Sequence, residues 1–358
     1  MRTAEAMLAL LLAAPASDWK RIEPGVAIEL PRDHGSHPEF RTEWWYVTGH
    51  LADEGGREFG FQFTVFRSGL DPDPAAPGDS PLRARHAFAA HFAIADVAND
   101  RLLFAERLRR GAPGLAGAAT GRLDAFVENW SIAMNAGGSI SIRARDLAAG
   151  TALDVALAPA KPAVLHGADG YSRKGYDPGN ASAYASFTRL DASGALEIAG
   201  RSRRVTGVAW FDHEWGTTQL GAGVVGWDWM SLQLDDGRDL MLYALRRADG
   251  TSAPFSAGTL VERDGAARRL ESGEFSIEPT ARWTSPRTKA AYPAAWRVRV
   301  PSAAIDLEIR PRIADCEMST EGSTGVTYWE GPVGVAGNAR GRGYVELTGY
   351  AGSLGGVF

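Results

Sequence analysis

Residues 206–247, TGVAWFDHEWGTTQLGAGVVGWDWMSLQLDDGRDLMLYALRR, crowd Trp210, Asp212, His213, Glu214, Trp215, Trp227, Asp228, Trp229 and Tyr243 into one window. The second part of this window, Trp227 to Arg247, echoes Glu43 to Arg67, EWWYVTGHLADEGGREFGFQFTVFR. In each copy an acid stands beside Trp and a strand-like run ends in Leu51 or Leu234. A turn follows (ADEGG or DDG), and a second run closes on Arg67 or Arg246. An internal echo of this kind marks two related halves. Within the runs the period is two: Phe59, Phe61, Phe63 and Val65 alternate with Gly60, Gln62 and Thr64, so one face is apolar and the other small or polar.

The window therefore predicts an all-β chain, folded as two tandem antiparallel barrels. The 358 residues, 45% of them hydrophobic, suffice for two ordinary cores, and the 42 glycines punctuate short apolar runs as turns do in β-proteins. We place the junction near residues 200–210, giving an N-terminal domain over 20–205 and a C-terminal domain over 206–358. The net charge of -5 comes with no basic run, which sets nucleic acid aside as a partner. Arg2, the apolar run Met7 to Ala14 and the small-x-small site Ala14-Pro15-Ala16 read as a secretory signal over residues 1–16, and imply a periplasmic or secreted protein. No later run reaches the roughly 18 apolar residues of a membrane span. Cys316, the only cysteine, has no partner for a disulfide or a CxxC site.

Parity assigns the unusual side chains to faces. Glu43 shares one with Trp45, Val47 and Leu51, so it is either a buried carboxylate needing partners or a strand-end cap reaching water. His91 lies with Ala89, Ala93 and Ala95, where small neighbours leave it room to line a cavity or to make a structural hydrogen bond. His34 and His37, in the polar stretch DHGSHPEF, read as solvated. The stretch HGADGYSRKGYDPGNAS reads as a long loop of the kind that borders binding sites. Asp228 shares a face with Met230, Leu232 and Leu234, repeating the oddity of Glu43; an acid on an apolar face has its pKa raised and becomes a proton donor. Near the end, Tyr344, Glu346, Thr348 and Tyr350 share one hydroxyl-rich face, which inside a small barrel would line a ligand cavity.

HEWG lacks the second His of a zinc-protease motif and no other cluster supplies three ligands, so neither a metal nor another cofactor is expected. His213, flanked by Asp212 and Glu214, is either an acid tuned by a carboxylate or a tie between strands.

Taken together, EWWYVTGHL, FGFQFTVFR, WFDHEWG, GWDWMSLQL, LMLYALRR, YWEG and GRGYVELTGY resemble the lipocalin-like family that includes the AttH-like secreted proteins and the carotenoid 1,2-hydratases. The resemblance runs from about Glu29 to Gly352 and implies two lipocalin-like barrels side by side. In the hydratases, activity is associated with a His and a Trp that match His213 and Trp215, and with a Tyr that matches Tyr243 and has an Asp nearby. Here Ala244 and Leu245 follow Tyr243, and the nearest upstream acid is Asp239.

Two functions stand open. One is an enzyme adding water to, or isomerising, a C=C bond of an apolar terpenoid- or carotenoid-like molecule. His213, Asp212 or Asp228 would supply the proton, and Trp215, Trp227, Trp229 and Tyr243 the π-faces for the cation, with Glu43, Trp45, His91 and Glu346 as further substrate contacts. The other is a carrier that shields a hydrophobic small molecule without chemistry. Cyclisation or hydrolysis is a remaining enzymatic class, although GxSxG is absent.

Overall fold

The computed structural model describes residues 19–72, 80 and 83–354. Within them the chain is almost wholly β, in one nearly closed barrel and one half-barrel, as two tandem barrels require. The stretch read as a secretory signal lies outside the described residues, as do residues 73–79, 81 and 82.

Along the first sheet the order runs from the edge strand Arg101–Arg110 through His86–Asp96, Glu58–Gly69 and Thr42–Asp53 to Arg201–Gly216 and Ala181–Ile198, then through four shorter strands to Ala116–Ala118. In the second, Ala267–Glu271 leads through Ala257–Val261, Asp239–Arg247 and Val224–Leu234 to Gly341–Leu347 and Thr327–Gly337, and on to Ser276–Thr284. Both repeated hairpins form: Glu43 pairs with Arg67 in the first, and Trp229 with Tyr243 in the second.

The junction differs from the expectation. From Val205 to Gly216 the strand Arg201–Gly216 pairs with Thr42–Asp53, and on its other side it pairs with Ala181–Ile198, so residues 206–216 belong to the first sheet. The chain crosses between Gly216 and Val224 instead. A strand with a partner on each edge cannot be cut at its middle, and the charge cluster at Arg201 to Arg204 marks only its solvated start.

Each barrel holds its own core. The alternation seen in the sequence sends Phe59, Phe61, Phe63, Val65 and Phe211 into the first, and Met230, Leu232, Leu234, Val345 and Leu347 into the second. The opposite faces are covered too. Tyr46, Tyr184 and Trp210 on the outside of the first barrel pack against Trp229, Met241, Tyr243 and Tyr344 of the second. Polar ties cross the same contact: His50 Nε2 lies 2.7 Å from the Gly343 carbonyl, and buried Asp239 accepts from Lys161 Nζ at 2.7 Å and Arg189 Nη2 at 2.6 Å.

Candidate functional site

Where the outer faces of the two sheets fail to fill the space between them, a cavity of about 810 Å³ remains, counted to its solvent-open side. Trp44, Tyr46, Thr64, Tyr184, Asp212 and Glu214 come from the first sheet, and Trp227, Trp229, Tyr243, Tyr328, Glu330 and Glu346 from the second. The internal repeat explains part of this lining. In both copies the acid turns into its barrel and the Trp after it, Trp44 or Trp229, turns out into the cavity. The long loop before Ala181 contributes Lys174.

Four carboxyl groups face this space, in three different environments. Asp212 accepts from Tyr184 OH at 2.7 Å, from Trp210 Nε1 at 2.6 Å and from Ser186 Oγ. Burial raises it to about 6 while those donors hold it down, so at neutral pH it is a carboxylate that fixes Tyr184. Glu214 accepts from Ser182 Oγ and pairs with Lys174 Nζ. Burial draws Lys174 down to about 7, against Asp212, which favours its charge.

Glu330 and Glu346 are the third case. They stand directly opposite each other on neighbouring antiparallel strands, so their side chains share one face. Burial and the nearby Glu346 push Glu330 well above the usual carboxylate range, although Tyr46 OH donates to its Oε1 at 2.6 Å. Its Oε2 is buried with no hydrogen-bond partner among the described residues. Burial raises Glu346 to about 7 against a hydrogen bond from Trp227, with Asp212 adding to the rise. An acid whose folded pKa is raised binds more protons folded than unfolded, so stability falls as pH rises from the unfolded value toward the folded one. Unfolding titrations should show Glu346→Gln removing part of the decline in stability between about pH 4.5 and 7. Equal slopes in variant and parent would show that Glu346 is ionised throughout.

Of the residues singled out in the sequence, Asp212, Tyr243, Trp227, Trp229 and Glu346 meet in this cavity. His213, Trp215, Glu43 and Trp45 do not line it. They lie on the opposite face of the same wall, because odd and even positions of a strand project to opposite sides. There Glu43 accepts from Arg67 Nε at 2.7 Å, Ser36 Oγ at 2.8 Å and the His37 backbone N–H at 3.0 Å, with His213 Nε2 3.1 Å away. Burial alone would raise Glu43, but Arg67, His213 and His37 outweigh it and hold the group well below its ordinary value. His213 is stacked on Trp45 at 5.0 Å. Nor is His37 solvated: its ring lies 3.8 Å from that of Trp215 and its Nδ1 is 2.9 Å from Glu43, while His34 is buried. His37, Glu43 and His213 have metal-like spacing, but the adjacent Arg67 guanidinium already supplies the positive charge.

Asp228 likewise turns inward, where Arg246 Nε donates to it at 2.8 Å and Tyr350 OH at 3.0 Å. Burial raises this carboxyl, against Arg246, yet it faces its ion-pair partner rather than the cavity. Each repeated acid is thus neutralised by the Arg that closes its own hairpin. Tyr350 accordingly leaves the face of Tyr344, Glu346 and Thr348, since Gly349 between them takes a φ of +72° and turns the chain. That face points out of the second sheet toward the first barrel, not into a barrel of its own. His91 lines a second cavity of about 940 Å³, which adjoins the first at Phe66, Trp227, Tyr328 and Glu346.

Residue-level reading missed Glu330, Tyr46, Tyr184 and Lys174. Glu330 was within reach: in YWEG it alternates with Tyr328, the same acid-with-tyrosine parity that marked Glu346. Lys174 carries no periodic signal, since it lies in a loop.

The arrangement is that of a two-barrel, lipocalin-like protein with an acid-lined cavity at the contact between barrels. The chain belongs to the AttH-like family, whose sequence profile matches residues 21–350. A crystal structure from Nitrosomonas europaea assigned to AttH superposes with a TM-score of 0.82 at 34% identity, covering 92% of this chain and 99% of that one. The fold is shared with kievitone hydratase from Nectria haematococca at a TM-score of 0.67, 16% identity and coverage of 94% and 97%. It is also shared with CghA bound to Sch210972, at 0.52, 12%, 95% and 96%. No curated protein matches the chain. No helix among the described residues is long and apolar enough to cross a membrane.

Proposed function

We propose that the cavity between the barrels performs acid-catalysed addition of water to a C=C bond of an apolar small molecule, with Glu330 as the proton donor. The observation that carries this reading is the unpartnered, buried Oε2 of a carboxyl held above the usual range and facing aromatic walls. A neutral carboxylic acid in an apolar pocket can protonate an alkene carbon that water cannot. The resulting cation lies among the rings of Tyr46, Trp229 and Tyr243, whose faces attract positive charge. Tyr184, held by the Asp212 carboxylate, orients the water that captures it. Asp212, a carboxylate at neutral pH, serves as the base rather than as the proton donor expected from the sequence; His213 and Asp228, which face away, act on the frame rather than on substrate.

Fold kinship with a hydratase raises the prior for this chemistry without assigning a substrate. The test is incubation of the purified protein with acyclic carotenoids, terpenoids and kievitone in heavy-oxygen water. Incorporated label supports hydration. Uptake without label would favour the carrier reading, which the absence of an acid beside Tyr243 already accommodates.

We also propose export, with the mature chain beginning near Ser17, on the strength of the apolar run ending at Ala14-Pro15-Ala16. Mass spectrometry of protein from its native host should find the first residues missing. An intact Met1 would overturn this.

A further inference from the structure

His91, Ser323 and Glu106 take no part in the chemistry above, yet with Tyr328 they form an unbroken hydrogen-bonded file. Tyr328 OH lies 2.8 Å from His91 Nδ1, His91 Nε2 lies 2.9 Å from Ser323 Oγ, and Ser323 Oγ donates to Glu106 Oε2. Tyr328 lines both cavities and stands two residues before Glu330 on the same strand face. Glu106, directly across the sheet from His91, is half-buried at the protein surface, and its other oxygen accepts from the Gly322 backbone at 2.9 Å. We propose that these four residues are a proton conduit between the cavity and the solvent.

Counting hydrogens sets its direction. Ser323 has one hydroxyl proton and gives it to Glu106, so toward His91 it can only accept. His91 Nε2 therefore carries the ring proton and its Nδ1 accepts from Tyr328. Burial pulls His91 down to about 3, so the ring is neutral and carries one proton, as this assignment requires. Every O–H and N–H then points outward, from Tyr328 to Glu106. A proton arriving at the Tyr328 oxygen from the cavity displaces the phenolic proton to His91, the Nε2 proton to Ser323 and the hydroxyl proton to Glu106. Each intermediate group gives one proton and receives one, and no electrons move. The alanines at 87, 89 and 93 leave the imidazole the room it needs, while Phe66 and Phe104 hold it edge-on at 5.0 and 5.7 Å.

The competing reading is a clamp, since Ser323 belongs to the second sheet's connections and Glu106 to the first sheet's edge. The two are separated by an exchange experiment. The protonated carboxyl band of Glu330, identified by its loss in Glu330→Gln, is followed by infrared spectroscopy after mixing into heavy water, with the cavity filled by the neutral dye N-phenyl-1-naphthylamine. We expect exchange in the parent to be at least tenfold faster than in Ser323→Ala and His91→Phe. Selective ¹⁵N-histidine labelling should place the His91 proton on Nε2. Equal exchange rates in parent and variants overturn the conduit and leave a clamp, and a proton on Nδ1 overturns its direction. Failure of the dye to bind, or of the band to appear, counts against the hydration site and its neutral Glu330 instead. The exchange of the His91 Nε2 proton with water then decides alone: at least tenfold slower in Ser323→Ala supports the conduit, and unchanged or faster rejects it.

Discussion

Glu330→Gln is expected to reduce turnover by about 10²–10⁴-fold while leaving the melting temperature unchanged or slightly raised. Glutamine keeps the shape of the side chain and the acceptor for Tyr46 OH, and removes only the transferable proton. It also removes the pressure that Glu346 places on a second carboxyl at the same point of the sheet, which is why stability is not expected to fall. Heavy-oxygen incorporation, measured beside calorimetry, reads both consequences. Unaltered incorporation in Glu330→Gln would remove Glu330 as donor and shift attention to Glu346, its cross-strand neighbour.

Arg67→Ala should do the reverse, damaging the fold first. Arg67 is 1% exposed and its guanidinium is the counter-charge to Glu43, itself 1% exposed. Deleting one partner of a buried pair leaves the other charge desolvated, at a cost of about 3–5 kcal/mol. For domains of this size that corresponds to a drop of roughly 10 °C in melting temperature. The effect also carries a pH signature. Glu43 is held below its ordinary value in the folded state, so its contribution is complete above the unfolded value near 4.5 and is lost as pH falls through the folded one. The deficit of Arg67→Ala relative to the parent should therefore be largest at neutral pH and shrink in acid. A deficit independent of pH would mean that Arg67 acts through packing alone.

These two substitutions fall on acids and partners that the sequence presented in similar terms, an unexpected charge on a strand next to aromatics. Parity correctly grouped Glu43 with Trp45 and Asp228 with Met230, on faces that the packing makes interior, and the echo correctly paired each hairpin with a closing Arg. What parity could not convey is that the closing Arg reaches back to the acid. Glu43 is therefore held below its ordinary value, and Asp228, although raised by burial, faces Arg246 rather than the cavity; the donor we propose is Glu330.

Two all-β halves, their repeated hairpin and most strand-face memberships, Tyr350 excepted, were legible from local order alone, because a strand's period of two is a property of the backbone and needs no partner. The same rule states which residues travel together but not which side is dry, and here both sides of the central strands are covered. Only the packing of one barrel on the other brought the polar faces of Tyr46, Asp212, Tyr328 and Glu346 together into one site. The contact that fixes Glu330 comes from Tyr46, 284 residues away, and the cation beside Glu214 comes from a loop without periodicity. His213 and Asp212, adjacent in the chain, were separated onto opposite sides of one wall by the strand geometry itself. Which of those sides held the cavity was decided by the second barrel, a surface that no local pattern in the first encodes.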